Sequence, residues 1–126
     1  MGDVRQDVQI IGDRSATVRM LVDTGATFSV IPKALAREIG VRRHRRPYTV
    51  ILADGRRVKC AAGIVSYRIG KREAPGTILI GDVPEPLLGV ETLEGLGLAV
   101  DPLKGRLTPT RSYTVRVSFP GYLTST

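Results

Sequence analysis

The sequence has little of what disulfide-rich, metal-binding and membrane proteins need. It contains one cysteine, Cys60, and one histidine, His44, which excludes an internal disulfide and argues against a protein zinc site. No apolar run approaches the roughly 18 residues that cross a membrane. Residues 1–7 lack the apolar segment of a secretory signal. We therefore expect a cytoplasmic protein in a reducing setting, with no membrane contact, no metal and no cofactor.

Acidic and aromatic residues are also scarce. The chain has 12 acidic against 19 basic residues, a net charge of +7, and no tryptophan. The positive charge is concentrated at 42–46, with smaller clusters at 56–59 and 71–72. Such a run can bind phosphate backbones through counterion release, but more often it is a solvated loop. Because neither a nucleic-acid motif nor an array of stacking aromatics accompanies it, nucleic-acid binding is the less favoured interpretation.

What is present is a pattern of short β-branched and apolar segments in one domain, residues 1–126. Strands are predicted at 4–11, 16–22, 28–31, 48–53, 56–60, 62–69, 77–80, 98–101, 105–108 and 113–119. Two short helices are predicted, at 33–39 after Pro32 and at 90–96, each closed by a glycine, Gly40 or Gly97. The dipeptide Asp54-Gly55 predicts a two-residue hairpin turn.

One acidic residue stands out because it lies between two apolar arms. Asp23-Thr24-Gly25 follows 20–22, Met-Leu-Val, and precedes a second apolar stretch, 28–31. A carboxylate in such a place is costly unless it is hydrogen-bonded, and the turn offers the Thr hydroxyl and backbone N–H groups. The tripeptide alone could be an ordinary polar turn. Its apolar flanks, and a second apolar segment that ends at Gly89 before a helix, favour a functional site held inside a core.

Three segments, in the order in which they occur in that family, resemble the retropepsin-like aspartic proteases. This is the family of the retroviral proteases and their bacterial and archaeal relatives. Residues 21–27 resemble the catalytic loop, 51–58 the flap hairpin, and 87–93 the entry to the C-terminal helix. The resemblance implies an all-β fold with one or two short helices, a closed acid-protease barrel with one lobe per chain. Its core would span about 16–108, and 109–126 would be a C-terminal strand or tail open to dimer contact.

The resemblance also implies a mechanism and a partner. In this family two neighbouring carboxylates share one proton, and the pair activates a water that attacks the peptide carbonyl. Since the motif occurs once, the resemblance implies a homodimer with the catalytic Asp23 on its two-fold axis. Thr24 would tie the two loops together, and Gly25 would leave room for the substrate backbone. Peptide substrate is further expected to contact Ala26, Ala53, Asp54 and Gly55.

The flap departs from the retroviral pattern, which is rich in glycine. Only Gly55 remains at its tip, and Arg56 and Arg57 follow. We hypothesise that these arginines favour acidic side chains in the substrate. Residues 4–11 and 113–119 are both candidates for dimer strands.

The other candidate chemistries are weaker. Acids beside turn residues are interpreted as turn chemistry; these are Asp54, Asp82, Glu85 and Asp101. Cys60 lies in a strand pattern and is interpreted as a packing residue. An aspartyl-phosphate enzyme would need metal-binding acids and a longer α/β frame. Two functions stay open: an aspartic endopeptidase, and a non-catalytic dimerisation or peptide-binding module with the same fold, for which nucleic-acid binding through 42–46 is one option.

Overall fold

The structure, a computed structural model, describes residues 2–110, which form nine strands and two short helices. The strands are β1 Arg5–Ile11, β2 Ser15–Val22, β3 Ser29–Ile31, β4 Tyr48–Ile51, β5 Arg57–Ile69, β6 Arg72–Ile80, β7 Leu87–Leu88, β8 Leu98–Asp101 and β9 Arg106–Pro109. The helices are α1 Lys33–Ile39 and α2 Val90–Leu96. The all-β class is therefore confirmed. The predicted strand at 113–119 lies outside the described residues.

The main sheet closes on itself. Its hydrogen-bonded order is β1-β2-β7-β3-β6-β5, and β1 also pairs with β5, from Gln9 opposite Arg68 to Ile11 opposite Ser66. Among residues 2–110, β4 pairs only with β5 and extends from the ring as one arm of a hairpin, which we call the flap hairpin (β4, residues 52–56 and the start of β5). No helix within residues 2–110 is long and apolar enough to span a bilayer.

The core fills the ring and the space under the two helices. Its fully buried large side chains come from six elements of the ring and from both helices; they are Val8, Ile10, Met20, Ile31, Ile39, Tyr67, Ile78, Leu88 and Leu96. In β1 the buried residues alternate with more exposed ones, as a sheet with one core face requires. Burial of this apolar surface is the main stabilising term of such a fold.

The helix ends follow from local sequence, as predicted. Pro32 precedes α1, and Gly40 ends it in the left-handed conformation with φ 66°. Gly97 ends α2 in the same way with φ 68°. The last carbonyls of α1 have no partner inside the helix, and the Arg14 guanidinium supplies one by donating to two of them at 2.7 and 2.8 Å.

Two predictions about the flap hairpin and its strand are wrong. The turn at Asp54-Gly55 is longer than two residues, because Ile51 and Arg57 form the last strand pair and Leu52 N–H then donates to Arg56 O at 2.8 Å. Gly55, with φ 86°, takes the left-handed position of a three-residue loop.

The segments 56–60 and 62–69, predicted as separate strands, form the single strand β5. It changes partner from β4 to β6 near residue 61 without interruption. The polar residues 72–76, predicted as loop, belong to β6, so that the connection is reduced to Gly70 and Lys71. A polar strand is possible here because the outer part of this hairpin faces solvent.

Candidate active site

Asp23 lies at the point where the ring holds two strands in parallel. Leu21 and Val22 of β2 pair with Leu87 and Leu88 of β7. The Asp23 N–H continues this ladder by donating to Leu88 O at 2.9 Å. Its side chain is half-buried. The backbone that carries the carboxylate is therefore fixed by a neighbouring strand.

The turn after Asp23 is tight and points outward. Gly25 N–H donates to the Asp23 carboxylate at 2.9 Å, and Ala26 N–H donates to Asp23 O at 3.1 Å. Thr24 and Gly25 are exposed, so the expectation that the whole turn lies inside the core is wrong. In its flanks, Met20 and Ile31 are buried, and Leu21, Val22 and Phe28 are half-buried. The turn is therefore exposed at Thr24 and Gly25, while the Asp23 backbone is held by β7.

We call residues 23–28 the Asp23 loop. The first residues of α2 hold the second half of this loop. Val90 N–H donates to Ala26 O at 2.8 Å, and Glu91 N–H donates to Thr27 O at 2.9 Å. N–H groups in the first turn of a helix lack partners within it, so these bonds satisfy both elements. A Cβ on Gly89 would lie 2.5 Å from the carbonyl carbon of Phe28. The absence of a side chain at Gly89 is what allows this contact.

Beneath the loop is a buried cluster of hydroxyl groups that was not predicted from the sequence. The Ser29 and Thr92 hydroxyls share a hydrogen bond of 2.6 Å, and Gly89 N–H donates to Ser29 Oγ at 2.9 Å. The Tyr67 hydroxyl donates to Thr77 O at 2.7 Å. Burial raises the pKa of Tyr67, and hydrogen bonds from Thr92 and Ser29 partly offset that rise. In the sequence, the sign of this cluster is one polar residue, Ser29, within the apolar segment 28–31.

The flap hairpin has two different faces. Side chains opposite each other in an antiparallel pair share a face, so one face carries Tyr48, Val50, Val58 and Cys60. The Tyr48 ring meets the Phe28 ring of the Asp23 loop edge-on, with centroids 5.6 Å apart. This apolar face is therefore the inner one, and it faces the Asp23 loop. Cys60 is half-buried there.

The outer face carries Thr49, Ile51, Arg57 and Lys59, all exposed. Arg57 thus projects away from the inner face, and its position gives no support to the hypothesis that it selects acidic side chains in a peptide held there. Arg56 is engaged locally: its backbone N–H and its guanidinium donate to Asp54 at 3.0 and 2.6 Å. Both bonds, the backbone one first, lower the pKa of Asp54.

The remaining predicted site residues lie at the flap tip, where Ala53, Asp54 and Gly55 are exposed. Within residues 2–110 no hydrogen bond or ring contact joins this tip to the Asp23 loop, and the link is made at the hairpin base by Phe28 and Tyr48. The structure therefore places the two groups of predicted residues on connected elements, with no hydrogen bond between them among the described residues.

Two other acids can now be assigned. The turn role of Asp101 is confirmed, because it accepts N–H bonds from Leu103 and Lys104 at 3.0 and 3.2 Å. Glu85 instead reaches across to Arg5, whose guanidinium donates to it at 2.8 and 3.1 Å. That hydrogen-bonded pair lowers the pKa of Glu85.

Comparisons with known proteins agree with this geometry. A family model described as "gag-polyprotein putative aspartyl protease" matches residues 7–95, well over half of the chain. The solved structure of EIAV protease complexed with the inhibitor HBY-793 is similar, with a TM-score of 0.64 and 23% sequence identity over 76% of this chain and 89% of that chain. At this identity the likeness shows the fold alone. No curated protein matches significantly. The family match, together with the fold and the anchored Asp-Thr-Gly turn, shows that the chain belongs to the retropepsin-like aspartyl protease family.

Proposed function

We propose that this chain is an aspartic endopeptidase whose active site forms when two copies bring their Asp23 carboxylates together on a two-fold axis. The observation that carries the proposal is the Asp23 turn. Its carboxylate is half-buried and held by Gly25 N–H, while the turn tip at Thr24 is exposed and available to a second copy. A single chain supplies one such carboxylate, so the two-acid chemistry of the family requires two chains.

In the dimer, two carboxylates about 3 Å apart cannot both be ionised, and they hold one proton between them. The ionised member takes a proton from a bound water, whose oxygen attacks the peptide carbonyl carbon. The protonated member donates its proton to the carbonyl oxygen, which gives a tetrahedral intermediate. Proton transfer to the leaving nitrogen then breaks the C–N bond. Because the two groups titrate as a pair, we expect a bell-shaped dependence of kcat/KM on pH.

The inner face of the flap hairpin suits an extended peptide. Its apolar side chains Val50 and Val58 are partly exposed. At the tip, the Gly55 and Arg56 N–H groups donate within the turn, whereas the Ala53 backbone has no hydrogen bond within residues 2–110 and can pair with an extended substrate. Ala26 on one side and Ala53 to Gly55 on the other would contact the substrate backbone. Closure of the flap hairpin would exclude water from the reacting groups.

The proposal is tested by measuring cleavage of a peptide library from acidic to neutral pH at a series of protein concentrations. For wild type we expect activity that rises faster than linearly with concentration. Asp23→Asn should abolish it. The matched control is Asp101→Asn, which alters a turn acid on β8 and should leave the rate unchanged.

Two results would contradict the proposal. Activity that is linear in concentration, from a protein shown to be monomeric, would exclude the shared dyad. A wild-type dimer with no cleavage under any condition would favour the alternative, a non-catalytic binding module with the same fold.

A further inference from the structure

The densest positive charge of this protein lies in the segment before β4 and in the flap hairpin. Residues 42–59 contain seven basic side chains, Arg42, Arg43, Arg45, Arg46, Arg56, Arg57 and Lys59, against one acid, Asp54. Two of the seven form ion pairs: Arg42 with Asp13 at 3.1 Å and Arg56 with Asp54 at 2.6 Å. In the part of the chain that the structure describes, the other five have no carboxylate partner.

Two parts of this basic segment lie along β5. Arg57 and Lys59 belong to the start of the strand and are exposed on the outer face of the flap hairpin. Further along, a Cβ on Gly63 would run into the carbonyl oxygen of Arg42, so the start of the arginine segment packs against β5. Arg43 also forms an isolated antiparallel bridge with Gly63.

The resulting surface is long, and its His44 ring lies beside Tyr48 of the inner face of the flap hairpin. We call residues 42–46, Arg57 and Lys59 the basic surface. At a strand rise of about 3.3 Å per residue, Gly63 and Arg57 are roughly 20 Å apart. Arg57 and Lys59 lie on the outer face of the flap hairpin, opposite the inner face that meets Phe28. Unpaired charges of one sign create a field that attracts a polyanion.

We infer that the basic surface binds single-stranded nucleic acid through its phosphates. Four of the five unpaired cations are arginines, whose planar guanidinium groups bind phosphate oxygens in pairs. A phosphate backbone carries a charge at every nucleotide and so neutralises several of them together. The exposed His44 ring, 6.0 Å from the Tyr48 ring, lies within the arginine run and offers a face on which a base can stack. A peptide of acidic residues offers carboxylates to the arginines but no base to stack on that ring.

The test is a binding titration with a fluorescent 20-nucleotide poly(dT) strand at several salt concentrations. The triple variant Arg45→Gln, Arg46→Gln, Lys59→Gln removes three cations that have no ion-pair partner within the described residues. We expect it to weaken binding at low salt at least tenfold and to reduce the slope of log K against log salt by roughly 2, since each phosphate that a cation neutralises contributes about 0.7 to that slope. His44→Ala should weaken binding without changing the slope.

The matched control is Lys33→Gln, Lys71→Gln, Lys104→Gln, which removes the same charge from exposed positions elsewhere. It should retain most of the affinity. The inference is overturned if wild type does not bind poly(dT) at low salt, or if the control loses as much affinity as the triple variant. It is also overturned if a poly-glutamate peptide of equal charge competes as well as unlabelled poly(dT).

The proposed nucleic-acid binding does not use the Asp23 carboxylate, so the two proposals can fail separately. Asp23→Asn protein should bind poly(dT) like wild type whether or not wild type cleaves peptides. Thermal unfolding of both triple variants, measured alongside, establishes that loss of binding is not loss of folding.

Discussion

At the scale of single residues, buried side chains support the loop that carries Asp23. Ser29 is fully buried and satisfies two neighbours at once, the N–H of Gly89 and the hydroxyl of Thr92. Gly89 in turn touches the backbone of the Asp23 loop. A small hydroxyl cluster thus fixes the distance between the loop and α2.

Removing these hydroxyls should lower the free energy of unfolding, and the effects of the two substitutions should be coupled. Ser29→Ala leaves the Gly89 N–H without an acceptor, and an unsatisfied buried group costs about 1–3 kcal/mol. Thr92→Val removes the other hydroxyl of the 2.6 Å bond. We expect urea unfolding of the two single variants and the double variant to give a coupling free energy of about 1 kcal/mol. Strictly additive losses would show that the two hydroxyls act independently.

Tyr67 predicts how stability changes at high pH. Burial raises its pKa in the folded state above the ordinary value of 10.0, so above pH 10 the folded protein holds a proton that the unfolded chain releases. The contribution of Tyr67 to the free energy of unfolding is therefore complete below pH 10 and is lost as pH rises beyond it. Tyr67→Phe should show a shallower decline between pH 10 and 11.5 in urea titrations. A decline as steep as that of wild type would assign the effect to other groups.

At the scale of elements, the contact between α2 and the Asp23 loop sets a steric limit at Gly89. Its φ of −93° is accessible to any residue, so the requirement for glycine is one of space. Gly89→Ala should lower the free energy of unfolding by about 1–3 kcal/mol, because the new methyl group would overlap the Phe28 backbone.

Gly95, within α2, provides the control. A Cβ there would lie 3.5 Å from the Ala74 Cβ, which is ordinary contact, and alanine favours a helix. Gly95→Ala should stabilise the protein by about 0.5–1 kcal/mol in the same measurement. If both alanines had the same effect, the close approach at Gly89 would not control stability.

The elements also show what local sequence can and cannot specify. The ends of α1 were predictable because Pro32 and Gly40 fix backbone angles by themselves. The flap turn was not, since its length depends on the register of β4 against β5. Likewise β5 is one strand because β6 takes over where β4 ends, which is a non-local event. Asp23, the acid of the candidate site, stands out in the sequence because of its apolar flanks, whereas the Ser29–Thr92 bond joins residues 63 positions apart and left no local pattern.

At the scale of the whole molecule, the proposed dimer should be visible in stability. Association that occurs only in the folded state makes the apparent Tm rise with protein concentration. We expect such a rise for wild type and an equal or larger one for Asp23→Asn at neutral pH, because the substitution removes repulsion between two carboxylates. Differential scanning fluorimetry over a hundredfold range of concentration measures both. A Tm independent of concentration would count against the dimer.

The late position of the two-residue strand β7 in the sequence affects when the Asp23 turn can form during synthesis. Leu87 and Leu88 pair with β2 and contact β3, and the Asp23 N–H completes its bond only when Leu88 is in place. Contacts between residues so distant in sequence slow folding, since the chain must close long loops first. During synthesis, residues 1–86 can leave the ribosome with the Asp-Thr-Gly turn present but unsupported. The proposed peptide-cleaving ability would therefore arise late, after the segment that ends with α2 has emerged, and the nascent chain would be spared its own activity.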